Sequence, residues 1–218
     1  MLSEAALREE VVKVYRALAD SSLNAGTAGN VSTRFKLGFL ITPTGADSAR
    51  LAAIQIVNMD LDGQPQPGQA GPSSEWRFHR DIYVARPEIK AIVHTHSPYA
   101  TALACRRQSI PAFHYMVAMA GGDSIRCAPY ATFGTQALSD HVLEALSGRR
   151  ACLLANHGMI ALGENLAAAL KMAVELESLA QQYTVSLQLG GPVLLDDEEM
   201  RSVLEHFKTY GKQDGGEV

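Results

Sequence analysis

The sequence lacks the features that mark several protein classes. Its 218 residues hold three cysteines, Cys105, Cys127 and Cys152, and no two sit at the close spacing of a zinc knuckle or a disulfide framework. An odd count with no export signal reads as reduced thiols in a cytoplasm. No apolar run reaches about 18 residues, so nothing spans a membrane. The opening MLSEAALREEVVKVYRALAD alternates acids and bases on a helical period and has no basic segment leading into an apolar one, so it is no signal peptide. Lysine and arginine number 19 against 23 acids and are scattered, and the net charge of −4 argues against nucleic acid as a partner. There is no internal repeat and no Gly-Lys-Ser/Thr of a nucleotide-binding loop. What remains is a chain of the size of one α/β domain, able to bury roughly 70% of its extended surface without covalent staples.

Apolar periodicity places the elements. Leu7, Val11, Val12, Tyr15 and Leu18 form a helical stripe over residues 4–23. NAGTAGNVSTRF reads as a Gly-rich turn feeding a short strand. GFLITPTGAD reads as a second strand that stops at Pro43 and Gly45, joined to the first by a hairpin at Lys36-Leu37-Gly38. SARLAAIQ is expected as a short helix, IVNMDLDG as a third strand and residues 64–72 as a Pro/Gly-rich loop. In SSEWRFHRDIYVARP, Ser73 or Ser74 is expected to cap a helix that Pro87 ends. IKAIVHTH is a strand, PYATALACRRQ and TQALSDHVLEALSG are helices, and RRACLLANHG is a buried strand running into His157. Helices close the chain at 164–189 and 196–208. Strands and helices interleave and the early strands are hairpin-linked, which predicts a mainly antiparallel sheet flanked by helices.

Chemistry concentrates at strand ends. His94 and His96 stand at i and i+2, so a strand puts both imidazoles on one face. His157 repeats the pattern after ACLLA. Three imidazoles at one sheet rim leave a tetrahedral ion an open position, as in a catalytic zinc site. Imidazole suits several transition metals, so zinc is a prior choice among them. His79, His141 and His206 fall on helices and read as surface or half-buried residues. Glu75 lies in the first turn of a helix, where a carboxylate is common because the helix dipole favours it. Two serines and free helix N–H groups beside it make an anion-friendly corner. GTAGN (Gly26–Asn30) and TPTG (Thr42–Gly45) are similar corners, and three such loops point to a phosphate held by neutral donors.

Taken in order, GTAGNVS, ITPTG, PSSEWRFH, VHTH and NHG resemble the class II aldolase/adducin superfamily. SIPAFHYMVAMAGGDSIRCAPYATFGT and EHFKTYG resemble its L-fuculose-phosphate aldolase branch. The resemblance runs from about residue 10 to 210. It implies a zinc aldolase domain over 1–210 followed by a polar tail at 211–218. It implies zinc on His94, His96 and His157, with Glu75 a displaceable fourth ligand and then the acid/base group. Gly29, Asn30, Thr44, Gly45, Ser73 and Ser74 would form the phosphate corner. Tyr115 and Tyr210 would reach the site of an adjacent subunit in a homotetramer. The implied reaction cleaves a ketose 1-phosphate, such as L-fuculose 1-phosphate, 5-deoxyribulose 1-phosphate or methylthioribulose 1-phosphate, to dihydroxyacetone phosphate and an aldehyde. Related scaffolds carry pentulose-5-phosphate 4-epimerases, methylthioribulose-1-phosphate dehydratases and non-catalytic adducin-like modules. Against the epimerases stands Glu75, where they usually carry Asp. Against the module stand four intact ligands.

Overall fold

Alternation along the strands decides which side chains meet which helices. The computed structural model describes residues 2–208, so Tyr210 and the expected boundary at 210/211 lie outside the described residues. Seven strands form one sheet in the order β3-β2-β1-β4-β7-β6-β5. They are β1 (Asn30–Phe35), β2 (Gly38–Ile41), β3 (Val57–Asp60), β4 (Ala91–Thr95), β5 (Cys127–Ala128), β6 (Ala151–Leu154) and β7 (Gly158–Gly163). Every neighbouring pair is antiparallel except β5 with β6, so the sheet is mainly antiparallel. Val31, Leu40, Val93, Leu153 and Ala161 point to one face, where α1 (Glu4–Asp20), α3 (Pro98–Cys105) and α5 (Leu166–Gln188) pack. Phe39, Ile41, Ile92, Leu154 and Ile160 point to the other, under α2 (Trp76–Ala85) and α4 (Gln136–Ala145). A last helix, α6 (Asp197–Phe207), lies against the 3-10 segment Tyr115–Ala120. Both faces are covered, so β4, β6 and β7 read as continuous apolar runs.

Several bounds differ from the sequence expectation, each for a local reason. The first helix stops at Asp20, because Ser22 takes a φ of 57° and the N–H groups of Leu23 and Asn24 both turn back to the Leu18 carbonyl. SARLAAIQ yields only a 3-10 turn, Ala53–Gln55, and the third strand is limited to Val57–Asp60. Neither Ser73 nor Ser74 caps α2; Glu75 stands at the cap position. Ser73 is held two residues before the cap position: its N–H bonds the Thr42 carbonyl at 3.0 Å, beside a bridge between Pro43 and Pro72. Its hydroxyl instead accepts from the Glu75 N–H at 3.3 Å.

The topology gathers one rim. Antiparallel pairing sets the start of β1 beside the end of β4, with Asn30 opposite His94. It also sets the start of β7 there, with Met159 opposite Thr95. The residues after β2 lead to the Pro43–Pro72 bridge at the same rim, so TPTG and PSSE lie side by side. Two glycines allow the close approach. Gly29 has a φ of 73°, and a Cβ there would lie 2.6 Å from the His94 carbonyl; at Gly158 it would lie 2.3 Å from that of Thr95. From α5, the Glu177 carboxylate accepts from Ser97 Oγ at 2.7 Å and from the Tyr99 and Ala100 N–H groups at 2.8 and 2.9 Å. It thereby satisfies the free N–H groups that open α3, directly after His96.

Candidate metal and phosphate site

β4 delivers His94 fully buried, and His96 follows one residue past the strand on the same face. His157 sits in the turn between β6 and β7, after Asn156, whose φ of 54° lets the hairpin close. Glu75 reaches across from the start of α2 and is 6% exposed. One ligand atom from each of the four residues lies within 4.8 Å of all the others. His94 Nε2 is 3.1 Å from His96 Nε2 and 3.1 Å from Glu75 Oε2, and His157 Nε2 is 3.1 Å from Glu75 Oε1.

The donor set fits a divalent cation. His94 Nδ1 donates to the Met159 carbonyl at 2.8 Å, so a neutral His94 presents its Nε2 lone pair to the cluster. That lone pair faces a second ring nitrogen and a carboxylate oxygen. Glu75 Oε1 is buried and has no hydrogen bond of good geometry, close as it is to His157. Ligands about 2.0–2.1 Å from a shared tetrahedral ion stand about 3.3 Å apart, close to the contacts seen here. The backbone carbonyl behind His94 is the kind of outer partner that orients metal-bound imidazoles. Burial alone would raise the Glu75 pKa, but the charge and close approach of His94 and His157 outweigh it and hold the carboxyl well below its usual range. Burial, then the neighbouring His94 and His157, lowers His96 to about 4. These directions favour a carboxylate and a neutral His96, the forms that bind a cation. Burial alone would lower His94, but the Glu75 carboxylate outweighs it and raises His94, so a proton and a cation compete for that ring.

The cluster opens onto a cavity of about 310 Å³. Gly29, Asn30, Thr44, Gly45, Ser73 and Ser74 line it beside Glu75, His96 and His157, so the three predicted corners share one pocket. No lysine or arginine is among its lining residues in the described chain. Asn30 is 3% exposed, and its Nδ2 donates to Glu75 Oε2 at 2.9 Å. The Glu75 side chain makes no cap hydrogen bond, so it does not serve the helix end. Tyr115 is not brought into this cavity; it opens the 3-10 segment, is 49% exposed and stacks on His114.

Some of the site was missed by sequence reasoning. Tyr130, Ala131 and Phe133 form an apolar stretch of the rim, and Asn156 joins them. They come from a loop and a turn, where no periodicity marks them. His79, expected at the surface or half-buried, is instead fully buried. It lies four residues after Glu75 on α2, so the helical period did place it behind the carboxylate. His141 is half-buried and His206 exposed, as helix residues of their kind should be.

A family model for the class II aldolase and adducin N-terminal domain matches residues 9–184. The chain is 54% identical over 209 residues to a 5-methylthioribulose-1-phosphate/5-deoxyribulose-1-phosphate aldolase of Rhodospirillum rubrum, covering 96% of this chain and 94% of that one. It is 50% identical over 206 residues to an L-fuculose phosphate aldolase of Escherichia coli K12, covering 94% and 95%. A solved structure titled L-fuculose 1-phosphate aldolase superposes with a TM-score of 0.91 at 42% identity, over 95% of this chain and 98% of that one.

The buried His79 makes a pH prediction. Burial first, then the charge of His94, lowers its pKa to about 3, with Glu75 opposing. The unfolded chain takes up this proton near pH 6.5 and the folded one near 3, so between them the unfolded state binds more protons. Stability therefore falls as pH drops through that window. Denaturant midpoints of metal-free protein at pH 7 and pH 4 should show a smaller acid loss in His79→Gln than in wild type; equal losses would refute the assignment.

Proposed function

The chain belongs to the class II aldolase and adducin family, and on that premise we propose that it is a metal-dependent aldehyde-lyase. It cleaves a ketose 1-phosphate to dihydroxyacetone phosphate and a small aldehyde. The observation that carries this reading is a four-ligand cluster opening directly onto a cavity lined by neutral anion donors. His94, His96, His157 and Glu75 would hold one divalent ion per chain, with zinc the choice that fits three imidazoles and a carboxylate. Such an ion supplies Lewis-acid stabilisation of negative charge on the substrate's oxygens, worth several kcal/mol.

The chain's own residues divide the remaining work. Ser73, Ser74, Thr44 and Asn30, with the backbone around Gly29 and Gly45, would hold the phosphate and so fix the ketose beside Glu75. Breaking the C3–C4 bond sends its electron pair to C3 as the C4 hydroxyl gives up a proton and becomes the aldehyde. Tyr115 of a neighbouring subunit would take that proton, and Glu75, displaced from the ligand cluster and protonated from solvent, would deliver one to C3. Tyr210 would also reach the neighbouring site. No lysine lines the cavity among the described residues, and Lys36, Lys90 and Lys171 stand outside every motif, so no Schiff base is assigned. The 54% likeness to a methylthioribulose/deoxyribulose 1-phosphate aldolase and the apolar rim at Tyr130, Ala131 and Phe133 favour an aldehyde with an apolar end. The domain is read as 1–210 with a polar tail at 211–218, in a cytoplasmic homotetramer. Among the described residues no helix is long and apolar enough to cross a membrane. The exposure of Tyr115, away from its own chain's cavity, supports a site completed across an interface.

A panel of ketose 1-phosphates, assayed for dihydroxyacetone phosphate, tests the reading. 5-Deoxyribulose and methylthioribulose 1-phosphates should be cleaved faster than L-fuculose 1-phosphate. Glu75→Gln should slow both cleavage and exchange of the C3 proton of dihydroxyacetone phosphate with D₂O by about 10²–10⁴-fold. Equal exchange in folded, metal-loaded proteins would remove Glu75 from the mechanism. Assembly is tested by complementation: inactive His94→Ala and inactive Tyr115→Phe proteins should regain activity after subunit exchange. With exchange demonstrated, no recovery would mean that each site is built from one chain.

A further inference from the structure

A file of buried polar groups runs away from Glu75 into the α2 face of the sheet, and the reaction above gives most of it no task. Asn30 Nδ2 donates to Glu75 Oε2. Asn30 Oδ1 meets His79 Nε2 in a short contact. His79 Nδ1 lies 2.7 Å from Ser32 Oγ, which lies 2.8 Å from the Tyr83 hydroxyl. Asn30 and Ser32 are i and i+2 on β1, so both side chains face α2. Ser32 and His79 are fully buried, and Asn30 and Tyr83 nearly so.

Donor and acceptor chemistry sets every proton in this file. A carboxylate only accepts, so Asn30 must turn its NH₂ group toward Glu75. Its carbonyl then accepts, so His79 must carry its proton on Nε2. Nδ1 is left as an acceptor and takes the Ser32 hydroxyl proton, and Ser32 Oγ accepts from Tyr83. All the hydrogen bonds run one way, from phenol to carboxylate.

We propose that His79 is a positioning residue that, as the Nε2–H tautomer, holds the Asn30 amide with its NH₂ group toward Glu75 and the phosphate corner. The assignment of a phosphate to that corner rests on the aldolase reading; the orientation of the amide does not. A flipped amide would aim its carbonyl at the Glu75 carboxylate and at a bound phosphate, both of them acceptors. The NH₂ group has a second hydrogen, and Asn30 lines the cavity beside Gly29, Thr44 and Ser73, so one amide serves the carboxylate and the anion together. Burial, then His94, lowers His79 to about 3 and keeps the ring neutral at working pH. Burial raises the Tyr83 phenol and keeps it a donor.

Two substitutions of similar polarity separate positioning from packing. The side-chain amide of His79→Gln can stand where Nε2 stands and donate to Asn30. That of His79→Asn reaches only as far as Nδ1. In metal-loaded holoenzyme, His79→Asn should lose roughly 10–100-fold in kcat/KM for 5-deoxyribulose 1-phosphate, the usual range for outer partners that orient a metal ligand, here acting through Asn30. The loss should appear in KM as well as kcat, with weaker binding of inorganic phosphate, while His79→Gln stays within a few-fold of wild type. The ¹⁵N spectrum of histidine-labelled wild type should show His79 as the neutral Nε2–H tautomer. Wild-type kinetics in both variants, equal impairment of both, or an Nδ1–H or doubly protonated His79 would overturn the proposal. If neither variant folds, the wild-type spectrum decides. If wild type cleaves no ketose 1-phosphate, the functional reading fails, while phosphate affinity and the tautomer still test His79.

Discussion

Three imidazole nitrogens and a carboxylate crowd together where the sheet meets its cavity, two of the residues buried and two open to it, and the rim is organised around that contact. His94 points a lone pair at another ring nitrogen about 3 Å away, because its other nitrogen is committed to the Met159 carbonyl. Without a cation, His96 can donate to the His94 lone pair only as its Nε2–H tautomer, and the lone pair facing Glu75 calls for a proton, which the carboxylate favours and burial opposes. The fold nonetheless devotes several features to holding the groups there. Gly29 and Gly158 let two backbones approach β4 where a Cβ would collide. Glu177 pins the start of α3 directly after His96. Two apolar layers thus hold four ligand groups together at one rim.

The same cluster explains the character of the cavity beside it. An anionic substrate could be held by lysine or arginine, but a fixed positive charge beside the ligands would compete with the cation for the carboxylate. The lining offers instead hydroxyls, an amide and backbone N–H groups in glycine-rich turns. Such donors would hold a phosphate without placing a cationic side chain beside Glu75. Glu75 sits where the two halves meet, touching His94 and His157 on one side and Asn30 on the other. Its side chain makes no cap bond, so a movement of the carboxylate would leave the start of α2 intact.

Much of this was legible in the sequence, and the limits have physical reasons. His94 and His96 were readable because a strand's period of two puts them on one face. Their meeting with His157 and Glu75 follows from antiparallel order, which interleaved apolar runs suggest and the sheet displays. The three Gly/Thr/Ser corners read as anion loops, yet nothing in them announced that Pro43 and Pro72 bridge two of them. His79 was misread because a histidine on an amphipathic helix is usually wet. Only its partners on β1, remote in sequence, make its burial tolerable. The cap of α2 was misplaced because tertiary pairing of Ser73 to Thr42 overrode local cap preference. Tyr130 and Phe133 reach the rim on a loop packed at Gly134 against Ser74, a placement that no local signal encodes.

The central claim is that a cation held by these four residues is what makes the chain an aldolase. Elemental analysis and cleavage rate measured on one preparation test it most directly. The account predicts about one divalent ion per chain, loss of that ion and of dihydroxyacetone phosphate release together on chelation or in His94→Ala, and recovery of both in wild type when zinc is restored. A folded, metal-free protein that cleaves a ketose 1-phosphate at the wild-type rate would contradict it.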